Sequence, residues 1–118
     1  MSEAQTTANR GIARDLTAFQ QNILIILSEE AMYGLAIKRR LEAYYDSEVN
    51  HGRLYPNLDD LVDLGLVEKS ELDKRTNQYA LTDEGYETVI DKLDWTLSKF
   101  ITDDDRAGTV RELADSQR

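Results

Sequence analysis

At 118 residues, 41% of them hydrophobic, the chain can bury one packed core but not two independent ones. It has no cysteine, which excludes disulfides, thiolate nucleophiles and thiol redox sensing together. Acidic residues outnumber basic ones by 23 to 14, for a net charge of −9 that disfavours nucleic acid as a partner unless salt screens it.

Thirteen of those acids are aspartate and only five residues are lysine. Such a surface fits a salt-rich cytoplasm, where the Debye length falls to about 3 Å in molar salt and distant charges stop mattering. An acidic tail on an ordinary protein is the other reading. No apolar run reaches the length of a membrane span and no signal peptide opens the chain, so a cytoplasmic protein is expected.

Residues 1–14 are polar and weakly patterned, which reads as a flexible arm carrying Arg10 and Arg14. Thr17 and Gln20 form a T-x-x-Q capping box. Phe19, Ile23, Ile26 and Leu27 then recur at helical spacing, predicting a helix over about 17–29. A second amphipathic helix is expected over about 34–45, with Ile37, Leu41 and Tyr44 as its stripe and Lys38, Arg39 and Arg40 on its outer side. Leu54, Leu58, Leu61 and Val62 mark a third helix, with Gly65 as its C-terminal stop.

Beyond Gly65 the period shortens to two. "LVEKSEL" and "NQYAL", separated by "DKRT", predict a hairpin over about 66–81 with Tyr79 and Leu81 on its inner face. Thr82 caps a final long helix of about 30 Å whose stripe is Tyr86, Val89, Ile90, Leu93, Leu97 and Phe100. Residues 102–118 form an acidic tail in which "AGTVRELA" can make a short helix, with the rest expected to fray.

The expected fold is therefore mainly α with one small β-hairpin, a winged helix-turn-helix followed by a long C-terminal helix. Its units are an arm at 1–14, a DNA-binding domain at 15–81, a dimerisation helix at 82–101 and a tail at 102–118. "AMYGLAIKRRL", "HGRLYPNLDDLVDLGLVEK" and "NQYALTDEG" resemble the PadR-like family of transcriptional regulators over about residues 19–90. The matching positions are Tyr33-Gly34, Ile37, Gly52, Leu54-Tyr55-Pro56, Leu58, Gly65-Leu66-Val67, Tyr79 and Leu81 to Gly85. Arg53 departs from the family, which often has a small hydroxyl residue there; the aspartate excess resembles a haloarchaeal member.

The resemblance implies a homodimer that binds a pseudo-palindromic operator and pairs through the long helix, with Trp95, Leu97, Phe100 and Ile101 at the interface. Trp95 points there independently, because it falls about 200° from Leu93 and so off the apolar stripe. In some relatives a tryptophan of this helix lines a dimer pore for flat aromatic ligands, so a small-molecule effector is open here. No cofactor is implied.

On the third helix Arg53 suits guanine and Asn57 suits adenine, while Asn50 is either a reader or a helix cap. His51 phases toward the buried side and reads as capping or packing before base contact. Tyr55 can pack its ring and extend its hydroxyl to a phosphate. Arg39 and Arg40, with Lys38, can clamp phosphates or simply be solvated and paired to Glu42 or an aspartate. Lys74 and Arg75 at the hairpin tip suit the minor groove.

Asp59, Asp60 and Asp63 restrict the third helix to entering the groove by its N-terminus, held back from phosphates or joined to them by salt cations. From Met32 to Gln78 there are seven basic and nine acidic residues, against five and ten from Thr82 to Arg118, so acidity is greater away from the expected DNA face. One histidine, no cysteine and no phosphate-binding glycine loop give catalysis no support, and Asp103 to Asp105 lack the ligand spacing of a calcium loop. The competing function is a winged-helix module that binds protein instead of DNA.

Overall fold

The computed structural model describes residues 15–73 and 76–118. The arm with Arg10 and Arg14, and the hairpin tip Lys74-Arg75, lie outside the described residues. In chain order the elements are α1 (Ala18–Leu27), β1 (Met32–Tyr33), α2 (Gly34–Tyr45), α3 (His51–Asp63), β2 (Val67–Asp73), β3 (Thr76–Leu81), α4 (Asp83–Phe100) and α5 (Asp104–Ser116).

The capping box forms: Gln20 donates its backbone N–H to the Thr17 hydroxyl, and Thr17 donates its own to the Gln20 side chain, both at 3.1 Å. From there α1 buries Phe19, Ile23, Leu24 and Leu27, with Ile26 half-buried. In α2 the buried line runs through Gly34, Ile37 and Leu41 to the half-buried Tyr45, which stacks on Phe19 at 6.1 Å. Tyr44, expected on this stripe, is 71% exposed. Its rotation leaves it at the edge of the line in the last turn, just before Asp46 turns the chain away in a left-handed conformation.

The C-terminus of α3 closes as a Schellman motif. Leu66 donates its N–H to the Leu61 carbonyl and Gly65 to that of Val62, each at 3.0 Å, with Gly65 at φ +80°. Leu66 and Val67, the residue before β2 and its first residue, are fully buried. β2 pairs antiparallel with β3 from Val67 opposite Leu81 to Asp73 opposite Thr76. A two-residue strand was not foreseen: β1 pairs Met32 with Tyr79, making a three-stranded sheet of order β1-β3-β2. Two residues are too few to display a period of two, so this strand leaves no pattern in sequence.

Thr82 joins the two halves. Its hydroxyl accepts the Gly85 N–H at 3.0 Å and donates to the Gly65 carbonyl at 2.7 Å, while its own N–H reaches the Leu66 carbonyl at 3.1 Å. A methyl group at Gly85 would stand 2.1 Å from that carbonyl oxygen, so only glycine fits. Of the stripe expected on α4 only Val89 is buried: α4 packs on α1 and β3, and its buried residues, Gly85, Thr88 and Val89, all lie in its first half.

The tail is more ordered than expected. Asp103 accepts the Arg106 N–H at 2.9 Å as an N-cap, and Asp104 and Asp105 occupy the positive end of the helix, so α5 runs to Ser116. No residue of α5 is buried. Among the described residues no helix is long and apolar enough to cross a membrane, and no group of metal-ligating residues is found.

Gly85→Ala is expected to destabilise the fold by about 3 kcal/mol, the upper range for overpacking, because the obstacle is backbone. Gly108→Ala in α5 meets nothing within 4 Å. It is expected to stabilise by about 0.5–1 kcal/mol through helix propensity. Chemical denaturation of the two variants checks both signs.

Candidate nucleic-acid interface

The N-terminus of α3 is built by side chains that fold back on it. Asn50 accepts the Arg53 N–H at 2.8 Å, so it is the helix cap. The Asn57 amide donates to the Arg53 carbonyl at 2.7 Å. The Arg53 guanidinium lies 4.0 Å over the Phe19 ring and 6.0 Å from that of Tyr45, anchoring α3 against α1 and α2. His51 is exposed, contrary to its expected inward phase. It stacks on Tyr55 at 5.4 Å, because the first helical turn projects beyond the core that the phase argument assumed to cover it.

Pro56 is the sixth residue of α3, past the first turn, so the Gly52 carbonyl finds no N–H four residues on. The Tyr55 ring packs over Gly34 at the start of α2: a methyl there would meet its hydroxyl at 2.6 Å. Glycine at 34 and tyrosine at 55 are thus one packing unit.

The three cations of α2 have different commitments. Lys38 pairs with Glu42 at 2.8 Å, and Glu42 also accepts the Val49 N–H at 3.0 Å, tying α2 to the turn before α3. The Lys38 hydrogen bond and then the Val49 N–H hold the Glu42 carboxyl below its ordinary range. Arg40 bridges back to Glu29 at 3.2 Å and Glu30 at 3.8 Å. Arg39 is exposed and makes no ion pair with a described residue.

Asp59, Asp60 and Asp63 are all exposed on the outer side of α3, and Asp59 stands 3.9 Å from Lys69 of β2. Between α2, α3 and the hairpin runs a groove of about 500 Å³. Tyr33, Gly34 and Leu35 form one wall, Tyr55 another, and Thr76, Asn77 and Tyr79 the third, with Asp73 beside the tip. The sequence reading missed Thr76, Asn77 and the Tyr79 hydroxyl. The signal was present, since Asn77, Tyr79 and Leu81 alternate along one strand and must share a face.

On the other functional element, α4, Trp95 is 56% exposed with Lys92 and Lys99 at 4.8 and 5.9 Å from its ring. Tyr86, Ile90, Leu93, Phe100 and Ile101 are exposed as well, and Leu97 is half-buried. The expected contrast between a buried stripe and a stray tryptophan is therefore absent: beyond Val89 no stripe residue is buried, and only Leu97 is half-covered.

Helices α2 and α3 with the β2–β3 wing define a winged helix-turn-helix protein. The chain matches the transcriptional regulator PadR-like family over residues 23–90 and belongs to it. It is similar to RosR of Halobacterium salinarum, in a complex designated RosR-S4, at 68% identity and a TM-score of 0.91, covering 92% of this chain and 95% of that one. RosR from crystals grown with NaBr shares 70% identity over 89% of this chain and 96% of its own, with a TM-score of 0.87. A PadR-like transcription factor from Bacteroides fragilis has the same fold at 18% identity, TM-score 0.61, covering 95% and 99% of the two chains. No curated protein matches. The chain is thus a DNA-binding transcriptional regulator of a family whose members are regulators, not enzymes.

Because its folded carboxyl is held low, Glu42 contributes stability that is full above the ordinary carboxylate pKa and is lost as pH falls through the lowered value. Glu42→Gln is expected to show a smaller fall in Tm than the parent between about pH 6 and pH 3. Thermal melts at matched salt measure it.

Proposed function

We propose that the protein binds a pseudo-palindromic operator as a homodimer in concentrated salt, pairing through α4 and reading bases with the first turns of α3. The observation that carries the dimer is the open apolar stripe of α4, where Leu93 and Phe100 lie exposed with Leu97 half-exposed between them, Ile101 exposed at the helix end and Trp95 exposed on the other side. Contiguous apolar surface of this kind is costly in water and is ordinarily covered by a partner. A two-fold dimer presents two recognition helices to half-sites about 34 Å apart. Similarity to RosR, solved in complexes designated S1 and S4, supports the reading.

In this proposal Arg53 and Asn57 leave their resting contacts to reach base edges, with Asn50 and His51 beside them. Tyr55, Arg39 and Arg40 meet phosphates, and Lys74 and Arg75 reach the minor groove. Asp59 lies about 9 Å and Asp63 about 15 Å along α3 from Arg53, at 1.5 Å per residue. End-on docking keeps both from the phosphates or lets salt cations bridge them. In molar salt a net charge of −9 repels DNA only at contact range, where these residues alone matter.

Sedimentation and fluorescence anisotropy in molar salt test this. The expected outcomes are a dimer, a monomer for Leu93→Asp with operator binding lost, and about ten-fold weaker operator binding for Arg53→Ala. Few phosphates are neutralised, so the salt dependence of affinity is expected to be shallower than that of a protein contacting about ten. A parent chain that is monomeric, or that binds no duplex anywhere in a salt series, overturns the proposal and favours a protein-binding module.

A further inference from the structure

The groove between α2, α3 and the wing has two features that its packing does not use. First, α2 begins without a side-chain cap: Tyr33 at the N-cap position makes no such hydrogen bond. The opening N–H groups of a helix have no intrahelical acceptor, and those of α2 head the groove wall formed by Gly34 and Leu35. Every other helix named here has its start capped by a side chain: Thr17, Asn50, Thr82 or Asp103.

Second, Tyr79 is only 2% exposed and yet lines the groove. Its hydroxyl has no partner among the described residues, and no buried polar side-chain atom among them is sealed away unpaired. The hydroxyl is therefore the part of Tyr79 that reaches the groove. Burial, then the charge of Asp59 and then Tyr55, push the phenol pKa up, so it is a neutral O–H donor throughout the physiological range. The Tyr55 hydroxyl is held over Gly34, at the first residue of α2.

Two phenolic O–H groups and an uncapped helix N-terminus thus line one opening. We propose that this groove seats one phosphate of the DNA backbone, held by the opening N–H groups of α2 and by the Tyr79 and Tyr55 hydroxyls. Thr76 and Asn77 line its wing side. The donors are neutral, so the seat needs no lysine or arginine and releases few counterions, which suits binding in strong salt. The assignment rests on α3 and the wing being the DNA face, as proposed above.

Tyr79→Phe removes one oxygen and no intramolecular hydrogen bond, so its Tm is expected to equal that of the parent. Its affinity is expected to fall about ten-fold, the scale of a hydrogen bond to a charged group, for operator and unrelated duplex alike. Methylphosphonate scanning should find one backbone position whose neutralisation weakens the parent more than it weakens Tyr79→Phe. Tyr55→Phe is expected to lose sensitivity at the same position. Parent-like binding by Tyr79→Phe, or a loss confined to the operator sequence, overturns the seat while leaving the DNA reading intact. If the parent binds no duplex, both fall. A titration followed by NMR separates the sources of phosphate: duplex should shift the Leu35 and Ala36 amides, and inorganic phosphate at equal ionic strength should not. Movement with inorganic phosphate alone would make this a free-anion site and overturn the assignment.

Discussion

Everything that carries function hangs from the junction between the end of α3 and the start of α4. The Leu66 carbonyl accepts the Thr82 N–H, and the Thr82 hydroxyl spans from the Gly65 carbonyl to the Gly85 amide. This closes the base of the wing directly beneath the recognition helix. It also fixes where α4 departs, since Gly85 must press against the Leu66 carbonyl with no Cβ between them. One hydroxyl and two glycines therefore set the relation between α3, the proposed reading helix, and α4, the helix proposed for pairing. Neither glycine can be exchanged freely, for different reasons: Gly65 needs φ +80°, and Gly85 needs space.

Around that junction the charged residues are arranged to hold the recognition helix as well as to meet a ligand. Lys38 and Glu42 clamp α2 to the loop ahead of α3, Arg40 returns to the end of α1, and Arg53 rests on Phe19. In strong salt, long-range attraction to DNA is screened away, so a regulator depends on short-range geometry that is already in place. A preformed α3 terminus and a groove of neutral donors meet that condition better than a cluster of mobile lysines. In the proposed high-salt setting the acidic excess of the C-terminal segment costs DNA binding little, because its reach there is only a few ångströms.

Much of this was legible residue by residue. The capping box at Thr17, the Gly65 stop, the Thr82 cap and the leucine spacing of α3 are local signals, and each forms in the structure as its chemistry requires. The misreadings share one cause. Tyr44, His51 and the outer half of α4 were assigned by helical phase, which locates an apolar face but not whether anything covers it. Conversely, β1 and the length of α5 depend on two residues finding Tyr79 and on three aspartates capping a new start.

The sequence by itself determined the order of the elements other than β1, the caps at Thr17 and Thr82, the Gly65 stop and the family, because those rest on interactions between residues a few positions apart or on motifs read along the chain. Only the tertiary structure decided which donors meet. Tyr33 to Leu35, Tyr55, and Thr76, Asn77 and Tyr79 come from three separate stretches and share a groove because α2, α3 and the wing pack around one core. The same packing laid Arg53 on Phe19, 34 positions earlier in the chain. No periodicity encodes such a meeting, since it arises from long-range packing that places elements against one another, after which only the side chains within reach can pair.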